Sequence, residues 1–214
     1  MNTSQFRKDF RVANELYPRL NSVWSAEHKM WIIRGDLDIC DSEGVFWDTF
    51  NLAILVPKGY PYIIPVVVEV SKLIPRDIDW HISSEGVCCV DEHHSLLAWS
   101  KRGIRIDSFL KDKVYPFFAN QLYKLHSGNY AGKEYKHFAA GVLQYYIEEL
   151  KINTRDLALN LIQMVLQGKI VRNEQCPCGS GRKVKICHEA SFAEMRAFGP
   201  ERLRKDLEEI RSCN

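Results

Sequence analysis

The sequence predicts an α+β chain with an N-terminal helix, an antiparallel β-meander, C-terminal helices and a small cysteine-rich appendage. Three observations predict it. Two β-rich runs flank a five-residue turn, helical periodicity takes over beyond residue 108, and the stretch CPCGSGRKVKICH at 176–188 interrupts that periodicity with clustered cysteines. With 214 residues, 46% hydrophobic and 26% charged, the composition is that of a water-soluble globular protein with room for one full core and a smaller second unit.

Residues 3–21 read as the first helix, because Phe6, Phe10, Val12, Ala13, Leu16, Tyr17 and Leu20 recur near helical spacing before Pro18 and Asn21 mark its decay. Lys29–Ile39 and Val45–Val56 follow as strands around CDSEG, which makes them an antiparallel hairpin. Pro57, Gly59, Pro61 and Pro65 punctuate the chain before a third β-branched run, Val66–Val70, and complete one meander. Ser108–Leu125 and Lys133–Leu150 carry apolar residues at helical spacing on either side of HSGNYAG. A third helix is capped by Asn153 or Thr154, shows Leu157, Ala158, Leu161, Ile162, Val165 and Leu166 on one face, and ends by Gly168. Pro200 opens a last helix with Leu203, Leu207 and Ile210 on one side.

The cysteines carry the chemistry. There are seven, an odd count, and three lie within twelve residues beside a histidine, which fits metal ligation and a reactive thiol better than a secreted disulfide framework. Cys176, Cys178, Cys187 and His188 offer three thiolates and an imidazole, the donor set of a tetrahedral Zn²⁺ site. Gly179 and Gly181 permit positive φ between them, and Arg182, Lys183 and Lys185 offset the net negative charge of such a site. The stretch resembles the SEC-C motif, a small zinc-binding module, at essentially every position. That resemblance implies one structural zinc per chain on these four residues. A site closed by four protein ligands holds no water to activate, so catalysis is not expected there.

A second stretch, HISSEGVCCV at 81–90, places two adjacent thiols after a polar glycine turn. Together with YPYIIP at 60–65 and the order helix, meander, proline-rich turn, cysteine, it resembles the ubiquitin-conjugating (UBC-like) fold in a divergent bacterial branch, over roughly residues 1–152. Enzymes of that kind carry a Tyr-Pro-x-x-x-Pro segment, then a histidine, a short loop, a glycine, and the reactive cysteine three positions later. Three after Gly86 is Cys89; Cys88 matches an apolar packing position. The resemblance implies that Cys89 holds a protein C-terminus as a thioester and passes it to an amine, normally lysine. It departs from the common His-Pro-Asn triplet, which is His81-Ile82-Ser83 here, so Ser83 stands where an asparagine would support the loop. His81 has two readings, as loop organiser or proton acceptor and as plain structural hydrogen bonder. Asp91, His93 and His94 either handle the proton of the attacking amine or belong to a solvated DEHHS loop.

These readings divide the chain into a conjugating domain at 1–152, a linking helix at 153–171, the zinc motif at 172–190 and a C-terminal helix at 191–214. Relatives of the UBC-like branch belong to bacterial anti-phage (CBASS) systems, which implies a cGAS-like nucleotidyltransferase or a ubiquitin-like protein as the conjugated partner. No glycine-rich phosphate cradle follows a strand, so any ATP-driven activation falls to a separate activating enzyme. The longest apolar run, Tyr60–Val70, is too short to span a membrane, and MNTSQFRKDF has no apolar signal core, so a cytoplasmic location is expected. The net charge of +2 gives no reason to expect nucleic acid. The competing reading is a non-catalytic UBC-like binding module with a zinc-binding tail.

Overall fold

The computed structural model describes residues 3–132 and 136–213. Two compact units emerge, Met1–Glu134 and Tyr135–Asn214. The first holds α1 (Thr3–Leu16) and a five-stranded antiparallel sheet in simple sequence order: β1 (Leu20–Ser25), β2 (Met30–Cys40), β3 (Phe46–Val56), β4 (Val66–Glu69) and β5 (Val87–Cys88). It continues with α2 (His93–Arg102), α3 (Ile106–Phe109), a π-helical turn over Leu110–Val114, and α4 (Tyr115–Ser127).

Strand alternation sets the core. Ile33, Leu37 and Ile39 of β2 and Phe50, Leu52, Ile54 and Val56 of β3 are buried on one face, against Phe6, Phe109, Leu110, Val114, Phe118 and Leu122. Burying each such side chain is worth about 1.5–3 kcal/mol. Where the β2–β3 register shifts at Ile39/Cys40, the Tyr115 hydroxyl accepts from the Cys40 N–H at 2.9 Å and donates to its carbonyl at 3.0 Å, so the irregular end of β2 stays satisfied. A second polar clamp is fully buried. Asp9 of α1 accepts from the Tyr60 hydroxyl at 2.6 Å, and that hydroxyl accepts from the Ile106 N–H at 3.0 Å, joining α1, the proline-rich segment and α3.

The second unit contains α5 (Phe138–Glu148), α6 (Arg155–Leu166), α7 (Glu189–Phe198) and α8 (Pro200–Ser212). Thr154 caps α6, its hydroxyl accepting from the Leu157 N–H at 3.2 Å. Tyr146 and Asp206 meet in the interior at 2.8 Å, and Arg202 closes on Asp206 at 2.5 Å. Burial and the Asp206 charge raise the Tyr146 hydroxyl well above the ordinary phenol range.

Several expectations change. The N-terminal helix stops at Leu16, and the residues beyond Pro18 begin β1, a strand that buries only Leu20 fully and so carries a weak apolar signal. The DEHHS stretch is not a solvated loop but the start of α2, with His94 buried at 1% exposure. α5 and α6 both pack against α8, so the division by packing falls after Glu134 rather than near 152, and the expected linking helix is part of the second unit. The tail holds two helices, broken at Gly199–Pro200. The helix expected from Lys133 is observed from Phe138; residues 133–135 lie outside the described residues. Among the described residues no helix is long and apolar enough to cross a membrane.

Candidate functional sites

The first site is the double cysteine. β5 pairs with β4 through Val67 opposite Cys88 and Val68 opposite Val87, which fixes the register of the pair. Successive side chains of an extended chain point to opposite sides, and the two thiols part accordingly: Cys88 is 7% exposed and Cys89 is open to solvent. Desolvation pushes the Cys88 thiol up to about 12. Desolvation by its surroundings also raises the Cys89 thiol above its ordinary value, so both are protonated at neutral pH and only one is accessible.

A tight turn presents them. The Gly86 N–H donates to the Ser83 carbonyl at 2.9 Å, the Ser83 N–H to the Val87 carbonyl at 2.9 Å, and the Val87 N–H to the Ser83 hydroxyl at 3.1 Å. Ser83 thereby braces the turn with both its backbone and its hydroxyl. Gly86 has φ +88°, and a Cβ there would meet the Glu69 carbonyl oxygen at 2.6 Å and Arg76 Nη1 at 2.2 Å, so any side chain would force the strand behind it to shift. Behind the turn lies an ion pair whose carboxylate is buried and whose guanidinium is partly exposed. Arg76 Nη2 stands 2.6 Å from Glu69 Oε2 and donates to the Glu69 carbonyl at 2.8 Å, beside the Cys88 thiol.

His81 acts on the site through its backbone. It ends a 3₁₀ turn at Ile78–Trp80 in a left-handed conformation, φ 52°, and its carbonyl accepts the Cys89 N–H at 2.8 Å. Its ring lies 5.7 Å from that of Tyr130. Asp91 points one oxygen at the Glu92 N–H, 2.8 Å away, and the other at Lys113 Nζ, 2.5 Å away. Glu92 caps α2, one oxygen accepting from the Ser95 N–H at 2.9 Å and the other meeting His94 Nδ1 at 2.8 Å. Burial raises the Glu92 carboxyl, but the hydrogen bonds and charge of His94 outweigh it and hold the group below its ordinary range. Sequence reasoning missed Glu69, Arg76 and Lys113, which are distant along the chain and carry no motif. An open groove of about 490 Å³ lined by Phe46, Trp47, Tyr123, His126 and Ser127 takes in none of the expected site residues.

The second site is the cysteine knuckle, which the structure assembles as expected. The donor atoms of Cys176, Cys178, Cys187 and His188 all lie within 4.8 Å of one another. His188 Nδ1 is 3.3 Å from Cys176 Sγ and 3.2 Å from Cys187 Sγ, and the Cys178 and Cys187 sulfurs are 3.5 Å apart. A tetrahedral ion with bonds of about 2.3 Å to sulfur and 2.0–2.1 Å to nitrogen needs edges of roughly 3.5–3.8 Å, and these donors, 3.2–3.5 Å apart where they are nearest, come close to that spacing. His188 Nε2 faces the Lys151 carbonyl at 3.1 Å. A carbonyl only accepts, so Nε2 carries the hydrogen and Nδ1 presents a lone pair to the sulfurs, the arrangement that orients a metal-ligating imidazole. Gly179 and Gly181 take φ +81° and +72°, Ser180 Oγ sits 3.2 Å from Cys187 Sγ, and an Arg182 nitrogen is 3.5 Å from the same sulfur.

Comparison with known proteins agrees with this geometry. Residues 172–190 match the family described as the SEC-C motif. Over 45 residues the chain is 49% identical to the protein translocase subunit SecA of Helicobacter hepaticus (strain ATCC 51449 / 3B1), a match covering 21% of this chain and 5% of that protein. The chain thus spans a small fraction of the curated relative it matches. No solved structure matches.

Proposed function

We propose that this chain is a ubiquitin-conjugating-like acyl carrier with a structural zinc knuckle. Cys89 takes a protein C-terminus as a thioester and delivers it to an amine. The observation that carries the reading is the division between the neighbouring thiols, one packed inside and one exposed just after a glycine turn, with the Cys89 N–H bonded to the His81 carbonyl. The order of α1, a simple meander, the Tyr60–Pro65 segment and the cysteine turn supports it. Transthiolation exchanges one thioester for another of similar energy, so the carrier needs an accessible thiol and little else; the acyl group stays activated until an amine arrives. His81 holds the strand end, Ser83 and Gly86 shape the turn, and Asp91 would receive the proton of an amine that displaces Lys113. The conjugated partner is a ubiquitin-like protein or a cGAS-like nucleotidyltransferase, charged by a separate activating enzyme in the cytoplasm of a bacterium defending itself against phage.

At the knuckle, Cys176, Cys178, Cys187 and His188 would hold Zn²⁺, which supplies folding energy and no chemistry because every corner is a protein donor. One observation favours the non-catalytic alternative. The Cys89 thiol is raised by desolvation.

A glycine-terminated peptide thioester of 2-mercaptoethanesulfonate separates the two without any activating enzyme. The carrier reading expects an adduct that dithiothreitol removes, lost in Cys89→Ala and retained in Cys88→Ala. An adduct that persists in Cys89→Ala moves the chemistry elsewhere, and no adduct in any form leaves the binding-module reading standing.

A further inference from the structure

Three consecutive carbonyls, those of Asp79, Trp80 and His81, each receive a donor. Lys124 Nζ of α4 donates to the first, Gln121 Nε2 of the same helix donates to the second at 3.0 Å, and the Cys89 N–H donates to the third at 2.8 Å. Gln121 has no solvent exposure, so its amide must be satisfied inside the protein. A carbonyl only accepts, which turns Nε2 toward Trp80 and leaves Oε1 to accept from the Tyr130 hydroxyl at 3.1 Å. Lys124 Nζ lies over the rings of both Tyr130 and Trp80, 4.0 and 4.6 Å from their centroids. His81 is left-handed at φ 52°, a conformation that a residue with a Cβ keeps only where its surroundings impose it. Beyond it, Ile82 bridges Cys88 and the Ser83 N–H meets the Val87 carbonyl, so residues 81–83 pair alongside β5. The strand that carries the two thiols is thus fixed by β4 on one side and by residues 81–83 on the other, and the second support is tied to α4.

We propose that Gln121 is a positioning residue for Cys89, with Lys124 and Tyr130 completing the clamp. The three hold the turn at Ile78–Trp80 against α4, the turn sets the left-handed His81, and the His81 carbonyl fixes the Cys89 backbone with its thiol toward solvent. Gln121 touches no substrate and acts through the two carbonyls. The use of the clamp rests on the carrier reading, because thioester exchange needs the sulfur to meet a carbonyl carbon from one direction, and a nucleophile on a held backbone loses less orientational freedom in getting there. The clamp itself stands on the contacts alone. A carboxylate at 121 would set acceptor against acceptor at the Trp80 carbonyl and push the turn off α4. His81 would then relax to negative φ and carry its carbonyl away from the Cys89 N–H.

The test uses the full chain labelled with ¹⁵N-cysteine, in which the Cys89 amide is the signal that Cys89→Ala removes, and compares its hydrogen exchange with that of Cys40, whose N–H is held by Tyr115 at the end of β2. Gln121→Glu should speed exchange at Cys89 by about tenfold and leave Cys40 unchanged. Tyr115→Phe should do the reverse, which separates positioning from general loosening. Tyr130→Phe and Lys124→Met, which keep the buried amide, should each speed Cys89 exchange by about twofold to threefold and serve in place of Gln121→Glu if that chain does not fold. Charging by the glycine-peptide thioester should slow in the same order. Cys89 and Cys40 losing protection together in the Gln121 variant, or parent-like exchange at Cys89 in all three variants, overturns the clamp. Faster exchange at Cys89 with charging at the parent rate overturns its role in positioning the thiol. A parent chain that never charges, with the exchange pattern as expected, sinks the carrier reading and upholds the clamp.

Discussion

The two cysteine sites are built on opposite plans. In the second unit four donors lie within thirteen consecutive residues, and two positive-φ glycines with a short backbone bridge between Gln175 and Lys183 suffice to fold them together. In the first unit two thiols are adjacent in sequence, yet what distinguishes them comes from far away: pairing with β4, the Glu69–Arg76 ion pair, the His81 carbonyl, and Asp91 tied to Lys113. Clustered donors specify a metal site by themselves; a nucleophile is specified by its scaffold.

The contrast is tested hardest at the knuckle, where the expected effect is largest. Structural zinc in small modules is worth on the order of 10 kcal/mol, so Cys187→Ser or chelation should strip the metal and collapse residues 172–190. Elemental analysis should find about one zinc per chain in the parent and in Cys89→Ala, and none in Cys187→Ser. Full metal content in Cys187→Ser, or unchanged circular dichroism after complete chelation, would show that the knuckle does not depend on an ion.

Two smaller effects probe the scaffold of the thiol. Arg76→Leu leaves Glu69 as a charge with no exposed side-chain surface and only the long bond from the Leu73 N–H at 3.4 Å, a change that typically costs about 3–5 kcal/mol. The urea midpoint measures it; a loss under about 1 kcal/mol would mean that the pair is replaceable and the turn self-supporting. Gly86→Ala meets both a positive φ and two contacts far inside van der Waals distance. Left-handed strain and overpacking together suggest roughly 2–4 kcal/mol, with Cys89 charging reduced more than the midpoint implies because the turn itself is displaced. Parent-like stability and charging would remove Gly86 from the account.

The same contrast explains what could be read from residues alone. The knuckle was readable because spacing, donor type and glycines sit in one short string. β2, β3 and β4 were readable because their β-branched runs end in turns, and α8 because Pro200, Leu203, Leu207 and Ile210 mark start and face. β1 was not, since one fully buried residue in LNSVWS leaves no alternation to detect. α2 was hidden because two of its four buried residues, His94 and Ser100, are polar and dilute the apolar period. α7 did carry a signal, Phe192, Met195 and Phe198 at a spacing of three, but its ten residues are too few for the period to stand out. At the thiol site the glycine turn was visible, but nothing in a linear string announces that Arg76 will sit behind Gly86 or that Lys113 will find Asp91.

The smallest effect separates the adjacent thiols themselves. Thiolate is the reactive form, and Cys89 is raised above its ordinary value, so its alkylation by iodoacetamide should climb about tenfold per pH unit from pH 6 and show no plateau before the ordinary thiol range near 8.5 is passed. Cys88, pushed up to about 12 and packed beside Glu69 and Arg76, should stay unlabelled in the folded chain over the same range. Differential labelling read by mass spectrometry decides both. A plateau at Cys89 below pH 8 would reveal an activating charge that the geometry does not provide. Labelling of Cys88 at a comparable rate would mean that β5 peels from β4 often enough to expose it, and the assignment of one thiol to packing and the other to chemistry would lose its structural basis. Between those outcomes lies the expected one, in which strand periodicity, set by pairing with β4, decides which of two identical side chains meets solvent.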